Sequence, residues 1–141
     1  MKDPGQALKT AYSTALQVLS VNSKQVLFYK QVPESANDIY TYVSDYTMVD
    51  DSNKDTFQTE CTITVNCVAP YHNAWGDITM VDDIADQVLQ TINVKAGSYL
   101  SLTGFSLITT SLDNSSEFTR EENGATASVR TLRFRHIIGE S

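Results

Sequence analysis

The sequence predicts an α+β domain with two helices packed on one face of a mostly antiparallel sheet of about four to five strands, in the order α-β-β-β-α-β-β. Residues 57–69 (FQTECTITVNCVA) alternate apolar and polar side chains, which is typical of a long strand with one buried face. Residues 4–19 and 78–93 repeat apolar side chains at helical spacing, which predicts two amphipathic helices. The length of 141 residues fits a single domain spanning residues 1–141.

The first helix is predicted from about Pro4 to Leu19. Asp3 is expected to cap it, Pro4 to occupy the first turn, and Gln6 to complete a capping box. Its apolar stripe consists of Leu8, Ala11, Tyr12, Ala15, Leu16 and Leu19. This stripe has two open interpretations, namely packing on its own sheet or docking on a neighbouring subunit.

Two strands are predicted next, at residues 25–32 and 39–48, with Pro33 ending the first. In the second strand one face is expected to carry Tyr40, Tyr42, Ser44 and Tyr46. Such a run of tyrosines is compatible with a ligand platform, but it is more typical of packing at a sheet face or an interface, where ring and hydroxyl are both used.

The connection at residues 49–56 (VDDSNKDT) is expected to be an exposed loop. Asp50, Asp51 and Asp55 make it acidic. A calcium loop is disfavoured because the spacing does not match an EF-hand, the turn has no glycine and no glutamate closes the set. The segment therefore fits a solvated hairpin tip.

Cys61 and Cys67 both lie in the long predicted strand. Six residues of strand separate their Cα atoms by about 20 Å, whereas a disulfide requires less than about 7 Å. They are therefore expected to be buried free thiols.

The second helix is predicted from about Ile78 to Asn93, after the turn PYHNAWG. His72 in that turn has no serine, cysteine or second histidine at a recognisable spacing, so we interpret it as a loop histidine. The helix carries three aspartates, Asp82, Asp83 and Asp86. They suggest a metal site, but the helix dipole and solvent explain them without an ion.

The C-terminal part is predicted to form two strands. The apolar parity of residues 99–112 changes around Gly104, which suggests a bulge. Residues 113–124 are predicted to be a long polar connection, exposed over about 113–125, that ends in an Asn-Gly turn. In the last strand, residues 126–138, Arg133 and Arg135 are expected to point away from the apolar face, with Arg130 nearby.

Composition and motifs exclude several functions. The net charge of −7 and the pI near 4.6 argue against a nucleic-acid surface and against an anionic membrane partner. No apolar run reaches the roughly 18 residues of a membrane span, and the N-terminus lacks a signal-peptide core, so we expect a protein made in the cytosol. Without a phosphate loop, metal-ligand spacing or nucleophile elbow, no catalytic residue, cofactor or metal is predicted, and the chain is not expected to be an enzyme.

The order of elements and several local strings resemble the tail-completion proteins of long-tailed bacteriophages, also called tail-terminator or tail-to-head joining proteins. The strings that carry the resemblance are ALKTAYSTAL, VLFYKQVPESANDIYTYV, TECTITVNCVA, DITMVDDIADQVLQTIN and, after the Asn-Gly turn, VRTLRFRHII. Together they span about residues 8–138.

The resemblance implies a structural virion protein of the tail or neck, assembled in the host cytoplasm. It implies a ring, a hexamer in the family, that caps the tail tube and contacts the tail-tube protein and the head–tail connector or head-closure protein. DNA would pass through the lumen without specific binding, which an acidic surface favours. The expected subunit or partner interface residues are Asp50, Asp51, Asp55, Arg130, Arg133 and Arg135.

Other interpretations stay open at this point. The three arginines also fit a solvated strand face or, less well, a DNA-backbone contact. The chain also fits another neck, head-closure or tail-tube protein. A different class, a small ligand-binding or enzyme domain, would require a pocket between helix and sheet.

Overall fold

The computed structural model describes residues 2–21, 24–33, 39–52, 57–70, 78–92, 100–122 and 125–140. Two helices and seven strands are present in this part of the chain. Their bounds are α1 Gly5–Leu16, β1 Ser20–Val21, β2 Lys24–Gln25, β3 Leu27–Phe28, β4 Tyr40–Asp50, β5 Gln58–Pro70, α2 Ile78–Ile92, β6 Phe105–Glu122 and β7 Ala125–Glu140. The predicted α+β class is confirmed.

The main sheet is mixed, which corrects the mostly antiparallel sheet that was predicted. Its strand order is β3-β4-β5-β7-β6, and β3 runs parallel to β4, whereas the other neighbours are antiparallel. The predicted strand 25–32 does not form as one piece, because β2 pairs with β1 in a separate two-stranded sheet and only Leu27 and Phe28 reach β4. A strand of only two residues, here a leucine and a phenylalanine, does not reveal from its sequence the direction in which it pairs.

One face of the sheet forms the core with both helices. The alternating apolar side chains of β5, the apolar side chains of β7 between Leu132 and Ile138, and the apolar stripes of α1 and α2 belong to one buried cluster. The long alternating strand is therefore confirmed as the centre of the sheet. Both cysteines lie on this face as buried free thiols, as predicted.

The start of α1 differs in detail from the prediction. Pro4 is the N-cap residue rather than the first helical residue, and no side chain caps it. The Asp3 carboxylate instead accepts a hydrogen bond from the Gly5 backbone N–H at 2.8 Å. The helix ends at Leu16, because the chain turns there toward β1, and Leu19 is buried outside the helix.

A bulge in β4 changes the predicted face of Tyr46. The pairing with β5 shifts register between Ser44 and Thr47, and Asp45 between them has a φ of 55°. Tyr40 and Tyr42 keep the predicted common face. The extra residue turns Tyr46 to the helix side, where its hydroxyl donates a hydrogen bond to Asp3.

The segment predicted as a polar loop at residues 113–124 is strand in its described part. β6 continues to Glu122 and pairs with β7 along its length. The prediction failed because β6 is an edge strand with most of its side chains exposed, so it lacks the apolar alternation of a half-buried strand. Gly104 is not a bulge within a strand: it has a φ of 83° in the turn that precedes β6.

Candidate assembly surface

Arg130 lies on the helix side of β7, apart from the other two arginines. Its Nη1 donates to Asp82 Oδ1 of α2 at 2.9 Å, and its Nε donates to Ser115 Oγ of β6 at 3.2 Å. One of the three helix aspartates therefore serves an intramolecular ion pair. Arg130 and Leu132 are two residues apart in the same strand, so their side chains face the same side of the sheet. The sequence alone therefore indicated that Arg130 lies on the helix side.

Arg133 and Arg135 lie on the opposite side of β7, as predicted. We call this side the open face, because no helix among the described residues packs on it; it carries Tyr40, Tyr42, Glu60, Thr62, Thr64, Asn66, Thr131, Arg133 and Arg135. Arg133 pairs with Asp113 at 3.5 Å, and Arg135 pairs with Glu60 at 3.3 Å. Both guanidinium side chains remain about half exposed, so these pairs contribute little to stability and can exchange partners.

The end of the sheet formed by β4 and β5 carries acidic and apolar side chains together. We call it the hairpin end and define it by Met48, Val49, Asp50, Asp51 and Phe57. Val49 is 59% exposed and Phe57 is 56% exposed. Hydrogen bonds from the hydroxyl and the backbone N–H of Ser52 hold the pKa of Asp50 below its usual value, so this carboxylate is charged at neutral pH. Asp55 lies outside the described residues.

Among the described residues, the predicted acidic groups Asp50 and Asp51 form no ion pair with the three arginines. Asp50 aligns with Thr59 of β5 and, through it, with Ile138 of β7, whose side chain faces the helices. Arg135 aligns with Thr62 three residues away, on the opposite side of the sheet. The register therefore separates these groups, and each arginine has a different carboxylate partner in its own chain.

The open face also has an aromatic end. The rings of Tyr29 and Tyr40 lie 5.3 Å apart edge to face, and those of Tyr40 and Tyr42 lie 6.1 Å apart. Arg120 of β6 donates a hydrogen bond to the Tyr40 hydroxyl at 3.0 Å. The tyrosines thus pack with one another around Val68 and Val129 in a second apolar cluster. Of the two alternatives drawn from the sequence, this arrangement fits packing at a sheet face rather than a ligand platform.

A buried polar cluster joins α1 to the sheet. His136 Nε2 lies 2.6 Å from the Tyr12 hydroxyl, and His136 Nδ1 lies 3.0 Å from Thr110 Oγ1. A neutral imidazole satisfies both contacts, donating at one nitrogen and accepting at the other. Burial lowers the pKa of His136 to about 4. Both His136 and Tyr12 are fully buried, so the cluster holds α1 in place and is closed to a substrate.

A groove of about 610 Å³ lies between α1 and the β3–β4 border of the sheet. Phe28, Val43 and Ile63 form part of its wall, together with polar side chains of α1. Lys9 lies 5.2 Å from the centre of the Tyr46 ring at this groove. The described residues that line the groove include serine and threonine hydroxyls but no histidine.

His72 and the three aspartates of α2 were the other sequence candidates for chemistry. His72 lies outside the described residues. Within the described ranges, no three histidine, cysteine, aspartate or glutamate side chains are placed to hold a metal ion. Neither described helix is both long and apolar enough to cross a membrane.

Sequence analysis missed the exposed apolar residues of the hairpin end. Val49 was assigned to an acidic loop, and Phe57 was assigned to the buried parity of the long strand. The available signal was weak: Phe57 continues the apolar alternation of β5 beyond the length that the helices cover. Two β-strand neighbours, Met48 and Val49, lie on opposite faces, so no parity pattern marks them as exposed.

Comparison with known proteins finds similarity among solved structures. No family model matches the chain, and no curated protein matches it. A chain in a solved structure described as the virion of a native gene transfer agent (GTA) particle has a TM-score of 0.73 with it at 14% identity. The alignment covers 99% of both chains. At this identity the similarity establishes a shared fold.

Proposed function

We propose that the chain is a structural virion protein, namely a ring-forming tail terminator that caps the phage tail tube and joins it to the head connector. The observation that carries this proposal is the end-to-end fold similarity to a chain of a virion particle. The alignment covers 99% of both chains, so the similarity extends over every described element. The proposed role is non-enzymatic, with DNA passing through the ring.

The distribution of charge supports contacts between unlike surfaces. Arg133 and Arg135 lie on the open face, whereas Asp50 and Asp51 lie at the hairpin end with exposed apolar neighbours. A ring is built from head-to-tail contacts in which two different patches of the same subunit meet. We place the hairpin end of one subunit against the arginines of the next. The net charge of −7 favours a lumen through which DNA moves without adhering.

Charge reversal tests this contact. The double variant Arg133→Glu, Arg135→Glu is expected to abolish ring formation on isolated tails, while the melting temperature of the monomer changes little because both ion pairs are exposed. The matched control is Arg133→Lys, Arg135→Lys, which keeps both charges and should assemble. Unchanged ring formation by the Glu variant would refute this interface.

A compensating variant makes the test specific. Adding Asp50→Lys and Asp51→Lys to the Glu variant restores opposite charges across the proposed contact, and it should restore ring formation at least in part. Ring assembly is scored by electron microscopy of tails and by mass measurement in solution. Rescue failure together with normal monomer folding would place the partner of the arginines elsewhere.

Location in the particle separates the terminator from a head-closure or tail-tube protein. A terminator forms one ring at the head-proximal end of the tail, whereas a tube protein polymerises along it. Labelling the chain in isolated tails and counting rings distinguishes these cases. Copies distributed along the tail would contradict the terminator assignment.

The groove beside α1 favours a second candidate function, the binding of a small ligand by an isolated subunit. Its volume of about 610 Å³ lies in the range of ligand sites. A ligand that seats there should raise the melting temperature of the chain, and Val43→Trp, which fills the groove, should remove that shift. A monomer with such a ligand and no ring on tails would favour this function over the terminator.

A further inference from the structure

One backbone edge of β6 faces away from β7 and pairs with none of the strands in the described part of the chain. Its 18 residues pair on one side with β7, and no other described strand pairs with it on the other side. The register with β7 shifts at Leu107/Thr109 and at Leu112/Asn114. From Asn114 to Glu122 the strand is regular over nine residues. This stretch contains neither proline nor lysine, two residues that commonly protect an edge from pairing, but it carries four other charged residues, Glu117, Arg120, Glu121 and Glu122.

The surroundings leave room for another strand. In the described part of the fold, α2 packs on β5 and β7, and α1 packs on α2 and β4. Along β6 the side chains of Glu117, Phe118 and Thr119 are all exposed, although they alternate between the two faces of the sheet. A strand added at this edge would therefore lie away from the main packing contacts of α1 and α2, the two described helices.

We propose that β6 is a pairing site for β6 of a second copy, so that two chains join around a two-fold axis into one continuous sheet. The other border of the sheet is a poorer partner. There β3 covers Tyr40 and Thr41, and the bulge at Asp45 interrupts the remaining edge. Of the two sheet borders in the described ranges, β6 alone offers nine regular residues, and a second β6 has the same length.

Symmetry restricts the register of this pairing. In an antiparallel pair, hydrogen-bonded and non-hydrogen-bonded positions alternate. A two-fold axis maps each position onto one of the same type, so a residue must lie opposite its own copy at the centre. Centring on Phe118 is the arrangement that uses all nine residues from 114 to 122.

Charges select the same register. With Phe118 at the centre, Glu117 lies opposite Thr119, Arg120 opposite Ser116, and Glu121 opposite Ser115, so like charges do not face each other. Centring the strand pair on Glu117 instead would place the two copies of Glu117 opposite each other. A shift to Thr119 places Glu117 opposite Glu121, and a shift to Arg120 places two arginines in contact. Directly opposed like charges destabilise strand pairs.

Phe118 supplies the apolar contact of this register. It is 47% exposed on the open face, beside Val129 of β7. Opposite its own copy it would form an aromatic cross-strand pair, which is among the favourable pairs in antiparallel sheets. The nine-residue ladder would add about eight to ten backbone hydrogen bonds.

This dimer goes beyond the proposed function, because it uses the β6 backbone edge rather than the hairpin end and the arginines. Two-fold pairing closes at two copies, whereas ring formation requires head-to-tail contacts. The dimer is therefore a property of the free chain. Electron microscopy of isolated tails, which scores ring formation, does not report this dimer, whereas a mass measurement in solution does.

The experiment is sedimentation equilibrium of the full chain over a concentration series reaching about 1 mM. Wild type should show a monomer–dimer equilibrium. Thr119→Glu places a second glutamate opposite Glu117 at two symmetric positions, and it should raise the dissociation constant about tenfold. Thr119→Lys is the matched control and should lower it. The double variant Glu117→Lys, Thr119→Glu restores opposite charges and should dimerise like wild type.

Hydrogen exchange provides an independent readout. Dimerisation should slow exchange of alternate backbone amides between residues 114 and 122, with little change in β5. Melting temperatures of the dilute variants show that each monomer is folded. A monomer throughout the series, a dimer indifferent to Thr119→Glu, or an assembly larger than two would each overturn the proposal. Loss of ring formation by the Arg133 and Arg135 variants would not affect this result.

Discussion

The hydroxyl of Tyr12 lies 2.6 Å from Nε2 of His136, although 124 residues separate them in sequence. Their rings meet edge to face at a centroid distance of 5.7 Å. The contact fixes the first helix against the last strand in the interior of the domain. Because both side chains are fully buried, each depends on the other for a hydrogen-bond partner that water would otherwise supply.

Tyr12→Phe should destabilise the fold by about 1–3 kcal/mol, because it leaves Nε2 of His136 buried without a partner. The free energy of unfolding is measured by urea denaturation. Tyr46→Phe is the matched control, since its hydroxyl bonds to Asp3 near the surface, and the loss should be smaller. Equal losses in the two variants would mean that the buried hydrogen bond contributes no more to the free energy of unfolding than the one near the surface.

The stability of the domain should fall on mild acidification. His136 has a folded pKa of about 4, below the ordinary 6.5, because burial disfavours its charged form. The unfolded chain therefore binds a proton between these values that the folded chain does not bind. The contribution of His136 is complete above pH 6.5 and is lost progressively as the pH falls to about 4. Its full size is about 3 kcal/mol.

Denaturation curves from pH 7.5 to pH 4 test the role of His136 when wild type is compared with His136→Gln. Glutamine keeps polar atoms in the site and does not titrate, so the variant should have the shallower pH dependence between about pH 6.5 and pH 4. Carboxylate groups titrate in both proteins and cancel in the difference. Parallel curves would assign the acid sensitivity to other groups.

The Arg130–Asp82 pair should couple more strongly than the Arg133–Asp113 pair. The first has a distance of 2.9 Å and a guanidinium that is mostly covered, whereas the second spans 3.5 Å with both side chains exposed. Double-mutant cycles with alanine should give about 0.5–1 kcal/mol for the first pair and less than about 0.3 kcal/mol for the second. The reverse order would contradict a structural role for Arg130 and an assembly role for Arg133.

Asp45 should tolerate asparagine but not a β-branched residue. Its φ of 55° lies in the left-handed region, which asparagine and aspartate enter more readily than other side chains with a Cβ. Asp45→Val is expected to cost about 1–2 kcal/mol in unfolding free energy, whereas Asp45→Asn should be close to neutral. Thermal denaturation measures both. A neutral valine variant would mean that the bulge relaxes to a regular strand.

Sequence patterns predicted the parts of this fold whose apolar side chains line the helix–sheet core. The alternation in β5 and the helical stripe of α2 both identified residues that do face the core. The face of Arg133 and Arg135 followed from the same parity. Burial imposes a period on the sequence, so these features are visible without coordinates.

The features that were not predicted show no periodic spacing of apolar residues. β6 is exposed on both faces, so its polar residues 113–122 looked like a loop although β7 pairs with them. A single extra residue at Asp45 moved Tyr46 to the other face. The partner of Arg130 lies on α2, 48 residues away, and such a contact depends on how the helix crosses the sheet.

The position of β7 between β5 and β6 has a consequence for synthesis on the ribosome. The strand that occupies the interior of the sheet is translated after every other element described, so a nascent chain has both neighbouring strands before it has the one that joins them. Until β7 emerges, the Tyr12 hydroxyl lacks its hydrogen-bond partner, the imidazole of His136, and α1 has no complete sheet on which to pack. Folding of this domain should therefore wait until β7 has been translated and can pair with β5 and β6.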